Sequence, residues 1–414
     1  MTATTAKRDP SKYGMGGRQR RLVLAAVVGL ALLPLPTTAT AAASQGPLIT
    51  EFRVPGTIPN GIATGPDGNL WFTDPSNNAV DRFTPTGSVT AYTVPGTNVN
   101  PGEITAGPDG NLWYLEHNAQ GTAPPIAYVG RMTTAGAATQ YPTGSGGFLS
   151  GIAVGSDGNL WFNEVDVFKV AKMTTGGALT EYTNPTGASA ELVGIAAGSD
   201  GNMWVTDAAG NVVWKVTTGG AFTPINLPTP NRGAASITVG ADGNVWFFEG
   251  NVNKIGRMTP GGTLTEFSIP TSNASVAGLA AGADGNVWFT EAGPNQIGVI
   301  TQAGVIHEYP IPTASSNPRG PTLGPDHHIW FPENVGSLAR VNGPGRSTDA
   351  APAVGHVTYP VRPRSGPPPA VQSTPSPTMP AGTRPRATQS APPVTLVVSP
   401  SLLETILQRL RAFF

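Results

Sequence analysis

Between residues 48 and 342 the hydrophobic and polar positions repeat one unit. The unit opens on small and β-branched residues, breaks at a polar turn, resumes as a short apolar run around a tryptophan, and ends on an acid. The sixth copy predicts four strands: Val276–Gly282, Val287–Glu291, Gln296–Thr301 and Val305–Ile311. The first two flank Ala283-Asp284-Gly285-Asn286, where Asp-Gly supplies the positive φ angles of a tight hairpin. The Val287-Trp288-Phe289 run does not alternate apolar with polar, which predicts a strand covered on both faces. Seven tryptophans keep this register, Trp71, Trp113, Trp161, Trp204, Trp246, Trp288 and Trp330, at spacings of 42, 48, 43, 42, 42 and 42. Only Trp214 falls outside it.

A period near 42 residues matches one four-stranded propeller blade. Leu48-Ile49-Thr50-Glu51-Phe52 reads as a fourth strand that precedes the first inner strand, and the last copy stops after its third, Ser337–Val341. The expected fold is therefore all-β: a seven-bladed β-propeller of four-stranded blades over residues 46–344, the last blade completed by the N-terminal strand. Closing the ring removes the sheet edges an open array would expose. A prism-like β-solenoid is the structural alternative.

The flanks differ in kind. Lys7, Arg8, Lys12, Arg18, Arg20 and Arg21 precede the apolar run Leu22–Leu33 and the small residues Ala39-Thr40-Ala41-Ala42-Ala43, so residues 1–43 read as a signal peptide. An uncleaved anchor is the alternative, and Arg20-Arg21 hints at twin-arginine export. A secreted or cell-envelope location follows, and with no cysteine the chain is expected to do without disulfides. Residues 345–398 are proline-rich and read as a disordered linker. At 399–414, Leu402, Leu403, Ile406, Leu407, Leu410 and Phe414 fall at helical spacing behind a capping box at Ser401–Glu404. This short amphipathic helix is expected to fray or pack on the propeller, or to touch a membrane or protein partner.

Charge narrows the function. The 25 acids and 24 bases nearly cancel, but residues 46–345 hold 22 acids and 11 bases. An acidic middle disfavours nucleic acid, whose phosphates need a basic surface. Fourteen of those acids form two sets. Asp67, Asp109, Asp157, Asp200, Asp242, Asp284 and Asp326 stand four residues before each tryptophan, in the first turn, where Asp makes local backbone hydrogen bonds. Asp74, Glu116, Glu164, Asp207, Glu249, Glu291 and Glu333 stand three residues after it, at the end of the second strand. That end shares a face with the channel mouth, so the second set is expected to rim it. The acids there either accept backbone hydrogen bonds or, as with Glu333, Glu116 and Glu291, hold a hard cation such as Mg²⁺ or Ca²⁺.

The second copy departs from the rest. Glu103 opens its first strand, His117 follows Glu116, and the loop Asn118–Pro125 is about seven residues longer than its counterparts. His117 is the one histidine expected at the mouth. His307 falls on an outer strand, His327 and His328 in a turn at the opposite end, and His356 in the tail. His117 is either a solvated loop residue or a catalytic one.

The repeated Gly-Pro/Ala/Ser-Asp-Gly-Asn-Leu/Val-Trp-Phe-Thr-Glu/Asp text, with Ile-Gly-Arg-Met-Thr and Thr-Glu-Phe/Tyr strands, resembles the virginiamycin B lyase family over residues 48–342. The resemblance implies the same shared closing blade. It also implies a reaction: linearisation of streptogramin B antibiotics by elimination, with a histidine base and Mg²⁺ on two glutamates. A carbon acid needs both a base and charge stabilisation on the forming enolate. In that family the last blade opens with Glu-Pro-His-Gly, and here the matching text is Asn317-Pro318-Arg319-Gly320. Glu333 keeps one metal-ligand place; Asn317 replaces the other. Arg319 takes the place of the base, and a guanidinium stays protonated. Ala277 matches a substrate-contacting histidine. The expected protein is a monomer that binds a small molecule or peptide at an acidic mouth formed by Glu103, Ala277, Asn317 and Arg319, without the family's base. The alternative is a divergent Mg²⁺-dependent lyase on streptogramin B or cyclic peptides, or a lactonase-like enzyme, that uses the acids with Glu103, Glu116 and His117.

Overall fold

A computed structural model describes residues 48–342, apart from 97–98, 119–125, 144–147 and 229–232. The expected signal peptide, proline-rich linker and C-terminal helix lie outside the described residues, as does nearly all of the long loop of the second blade. What is described is all-β: seven antiparallel sheets of four strands each. The first six blades follow chain order from inner to outer strand. The seventh runs Leu48–Arg53, Ser337–Asn342, Ile329–Glu333, Thr322–Leu323 from outside in, so both ends of the described chain share one sheet. Six register pairs, from Leu48 opposite Asn342 to Arg53 opposite Ser337, close the ring.

The strands of the sixth blade are Val276–Ala281, Val287–Glu291, Gln296–Ile300 and Ile306–Pro310, within a residue of the sequence reading at every boundary. The second strand is buried at all five positions in six of the blades. Both its faces are covered by neighbouring blades, which is why it does not alternate.

Two devices repeat around the ring. Each first-turn Asp accepts the indole N–H of the tryptophan four residues on, at 2.9–3.3 Å, and in all seven the Asp also bonds the backbone N–H two residues ahead. The turn reading was thus incomplete: each Asp also satisfies a buried indole donor. The second device is a cation on the third strand. Arg82, Arg131, Lys172, Lys215 and Arg257 each lie over the tryptophan of their own blade. Each also donates to a backbone carbonyl in the next blade, at Thr134, Thr175, Thr218, Pro260 and Gln302.

Candidate functional site at the channel mouth

The strand-two acids do not rim the channel. All seven are at most 1% exposed. The register explains it. In the sixth blade Phe289, Gly298 and Glu308 form one cross-strand row, and Glu291 lies on the same sheet face two residues from Phe289. With glycine on the third strand, the outer-strand carboxylate reaches inward beneath the aromatic ring toward Glu291. Equivalent rows are Tyr114–Gly130–Gln140, Phe162–Ala171–Glu181, Phe247–Gly256–Glu266 and Phe331–Ala339–Glu51. The five strand-two glutamates of these blades therefore face the outer strand of their own blade. Glu116 accepts from Gln140 Nε2 at 2.5 Å. Trp214, out of register in the sequence, fills the small-residue place in the fourth blade and donates its indole N–H to Asp207 at 3.1 Å. Asp74 and Asp207 also accept the backbone N–H groups of Ile58 and Glu191, just ahead of the inner strands of their own blades.

Burial at these positions raises the pKa of the carboxyl groups. Burial, then the neighbouring Glu308 carboxylate, pushes Glu291 up to about 8. Burial pushes Glu116 to about 7 against the opposing bonds from Gln140 and Tyr114. Burial and Glu51 push Glu333 to about 7, opposed by Ser316 and Arg53. Burial and Asp74 do the same for Asp81, also to about 7.

Glu333, Glu116 and Glu291 stand on three different blades and are not brought together. Among the described residues no three His, Cys, Asp or Glu side chains form a group able to hold a metal ion. The place implied for Mg²⁺ offers the neutral amide of Asn317 and one deeply buried carboxyl, Glu333, whose acidity is weakened. This donor set does not fit a hard divalent cation, which wants several ionised or carbonyl oxygens.

The mouth is built from the residues that start the inner strands. Equivalent positions in blades one to seven are Asn60, Gly102, Ser150, Val193, Ala235, Ala277 and Arg319. Arg319 is fixed at both ends of its peptide unit: its N–H donates to Pro332 O at 2.9 Å, and its carbonyl accepts the Thr290 hydroxyl at 3.0 Å. Asn317 beside it sits at φ 50°, a left-handed conformation that Asn tolerates. The Arg319 Nε is buried without a hydrogen-bond partner among the described residues. Burial lowers the Arg319 pKa, while the charge of Glu103, two blades away around the ring, acts in the opposite sense. No histidine stands at Ala277, on the neighbouring inner strand.

Glu103 and His117 come together as a pair, with His117 Nε2 3.8 Å from Glu103 Oε2. Gly102 makes this possible: a Cβ there would lie 2.6 Å from His117 Nε2. The Glu103 side chain is 51% exposed. Burial pushes its pKa up, but the His117 ring and the backbone of Glu103 itself and of Gly151 outweigh it and hold the carboxyl below its ordinary range. His117 is mostly buried, and its Nδ1 is buried without a partner among the described residues. Its ring leans on Phe148 at a centroid distance of 6.1 Å, and Phe148 is 49% exposed. The sequence reading missed Phe148; its only sign there is an aromatic residue just ahead of an inner strand.

The sequence profile described as the virginiamycin B lyase family matches residues 49–341. Among solved structures, virginiamycin B lyase from Staphylococcus aureus is 33% identical, with a TM-score of 0.66 over 71% of this chain and 98% of that one. A streptogramin B lyase structure is 31% identical at a TM-score of 0.67, over 72% and 99%. A catalytically inactive histidine-to-alanine variant of the Staphylococcus aureus enzyme, solved with quinupristin, is 32% identical at a TM-score of 0.65, over 71% and 98%. Among curated proteins, none matches the sequence.

Proposed function

Because the chain belongs to the virginiamycin B lyase family, we propose that it is an exported, ligand-binding member whose mouth does not perform the metal-dependent elimination. The observation that carries this reading is Arg319. It occupies the place of the family's base with its backbone held on both sides, and a guanidinium cannot accept the proton. Asn317 and the buried Glu333 do not supply a cation site, and Ala277 offers no imidazole. What remains is a mouth with one cation, one ionised carboxylate, an imidazole and an exposed aromatic ring, which is binding chemistry.

Quinupristin, the compound bound by one relative, is the first probe. The purified protein is incubated with it, with and without Mg²⁺; calorimetry reads binding and mass spectrometry reads ring opening. No linearisation is expected in either condition. Metal-dependent linearisation would overturn the proposal. A second reading, a divergent lyase or lactonase, rests on the Glu103–His117 pair, since a carboxylate beside an imidazole is how a general base is oriented. It requires ring opening that is lost in His117→Gln and insensitive to Mg²⁺. Export is tested by N-terminal sequencing of protein from the culture medium, expected to begin just after Ala41–Ala43.

A further inference from the structure

The seven equivalent mouth positions are chemically lopsided. Blades three to six contribute Ser150, Val193, Ala235 and Ala277, all small or apolar and uncharged. Charge gathers at blade seven, as Arg319, and at blade two, where Glu103 follows the equivalent Gly102, with the neutral Asn60 of blade one between them. The Glu103 charge is close enough to act on the Arg319 guanidinium. Each also keeps bonding capacity in reserve. Arg319 Nε has no partner among the described residues, and the Glu103 side chain is half exposed. Such an arrangement complements a molecule that carries one charge of each sign.

The rim supplies the rest. Six large hydrophobic residues are exposed among those described: Ile58, Val89, Ile126, Phe148, Val305 and Val335. Ile58 and Phe148 precede inner strands, and Ile126 and Val335 lie between second and third strands; all four therefore sit on the mouth face. Val89 and Val305 lie beside the turns between third and fourth strands, at the opposite end. Phe148 is the member beside the charges, through its contact with His117.

We propose that the mouth binds a short linear peptide with both termini free, its carboxylate on Arg319, its ammonium on Glu103, and an apolar N-terminal side chain against Phe148. The proposal rests on the mouth being a ligand site and names the ligand's class. A guanidinium with free donors takes a carboxylate by paired N–H···O bonds. Glu103 is acceptor-only when ionised, so it takes an ammonium. His117, packed over Gly102, holds Glu103 from one side and is a positioning residue. A capped or cyclic peptide would leave both charges facing a neutral group, at a desolvation cost with no return.

The test is calorimetry on the full chain with L-phenylalanyl-L-alanine, its N-acetyl derivative, its C-terminal amide, and quinupristin. Free dipeptide is expected to bind, and either cap to weaken it at least tenfold. Arg319→Gln should lower affinity for the free dipeptide to that of the amide, with no further loss when amide and variant are combined. Glu103→Gln should match the N-acetyl derivative in the same way. Because the caps change only the ligand, the proposal stays falsifiable if a variant misfolds. Equal affinity for free and capped dipeptide overturns it. If quinupristin binds and the free dipeptide does not, this inference falls and the ligand-site reading stands; if neither binds, both fall.

Discussion

Replacing Glu291 with glutamine should stabilise the protein at alkaline pH and leave it unchanged at mildly acidic pH. Glu291 is fully buried, and its neighbour Glu308 already uses both oxygens: Thr271 donates its N–H to Oε1 at 3.0 Å and its hydroxyl to Oε2 at 2.8 Å. Thr271 thus holds Glu308 in place, and burial together with the Glu308 carboxylate puts the raised pKa on Glu291. Folding raises the Glu291 pKa from an ordinary 4.5 to about 8. A carboxyl whose folded pKa is raised opposes folding once it must ionise. The penalty is absent below about pH 4.5, grows as pH rises, and is complete above about pH 8. The full difference is worth about 5 kcal/mol in a rigid dry site, and about 2 kcal/mol once water and relaxation share it. For a domain of this size the smaller figure moves the melting temperature by roughly 5 °C.

The assay is thermal unfolding by circular dichroism at pH 5 and pH 8.5. Wild type should lose stability between the two. Glu291→Gln, nearly isosteric with the protonated acid, should match wild type at pH 5 and melt several degrees higher at pH 8.5. Glu116, Glu333 and Asp81 are raised for the same reason and give both proteins a common slope of the same sign; the difference between the proteins isolates Glu291. An equal loss in wild type and variant, or a variant that melts lower at pH 8.5, would refute the argument that burial opposes ionisation of Glu291.

Three further outcomes are expected. Phe52→Ala should destabilise the fold by about 2 kcal/mol, since the ring packs 5.7 Å from Phe83 and 5.1 Å from Trp330 across the closing seam. Hydrogen exchange should then quicken first in Leu48–Arg53 and Ser337–Asn342. Arg257→Val should cost about 1 kcal/mol in urea unfolding by removing the bond to Gln302 O and the contact with Trp246, while Val299→Arg should gain nothing. The combined change Ala277→His, Asn317→Glu and Arg319→His should create Mg²⁺-dependent opening of quinupristin, read by mass spectrometry; no opening in a folded triple variant would mean that the family's chemistry needs more than those three side chains.

The fold was legible because its determinants are local. A hairpin Asp-Gly and a tryptophan four residues after the Asp recur at fixed spacing, and each makes its bond within its own blade. The closing strand was legible by counting, since a fourth strand without its first three had to belong elsewhere. The placement of the strand-two acids was not. Which end of a strand a residue occupies follows from spacing, but its partner depends on the third-strand residue in between. Only the cross-strand rows reveal that Gly298, Gly256 and Ala339 open the way for outer-strand carboxylates. The pairing of Glu103 with His117 was half visible: both were singled out in the second copy, but Gly102, which lets the imidazole lie flat, has meaning only in three dimensions.

Departures from a repeat are informative once the fold accounts for the ones it requires. Trp214 departs because it donates to Asp207 in a blade whose outer strand has Pro224 in place of an acid. Val299 stands where five other blades carry a cation that reaches the next blade's turn between third and fourth strands. The seventh blade has no such turn, because its fourth strand comes from the other end of the described chain, so a cation at 299 would have no carbonyl to meet. Glu103, His117 and Arg319 have no comparable excuse. Arg319 and Glu103 keep unused bonding capacity, and the places equivalent to Arg319 elsewhere are filled without a charge. Placing the Arg319 guanidinium at the mouth, with its Nε buried and unpartnered among the described residues, costs desolvation that the ring does not need. A ligand carboxylate entering the mouth would offset that cost, while Glu103 already has His117 and backbone partners.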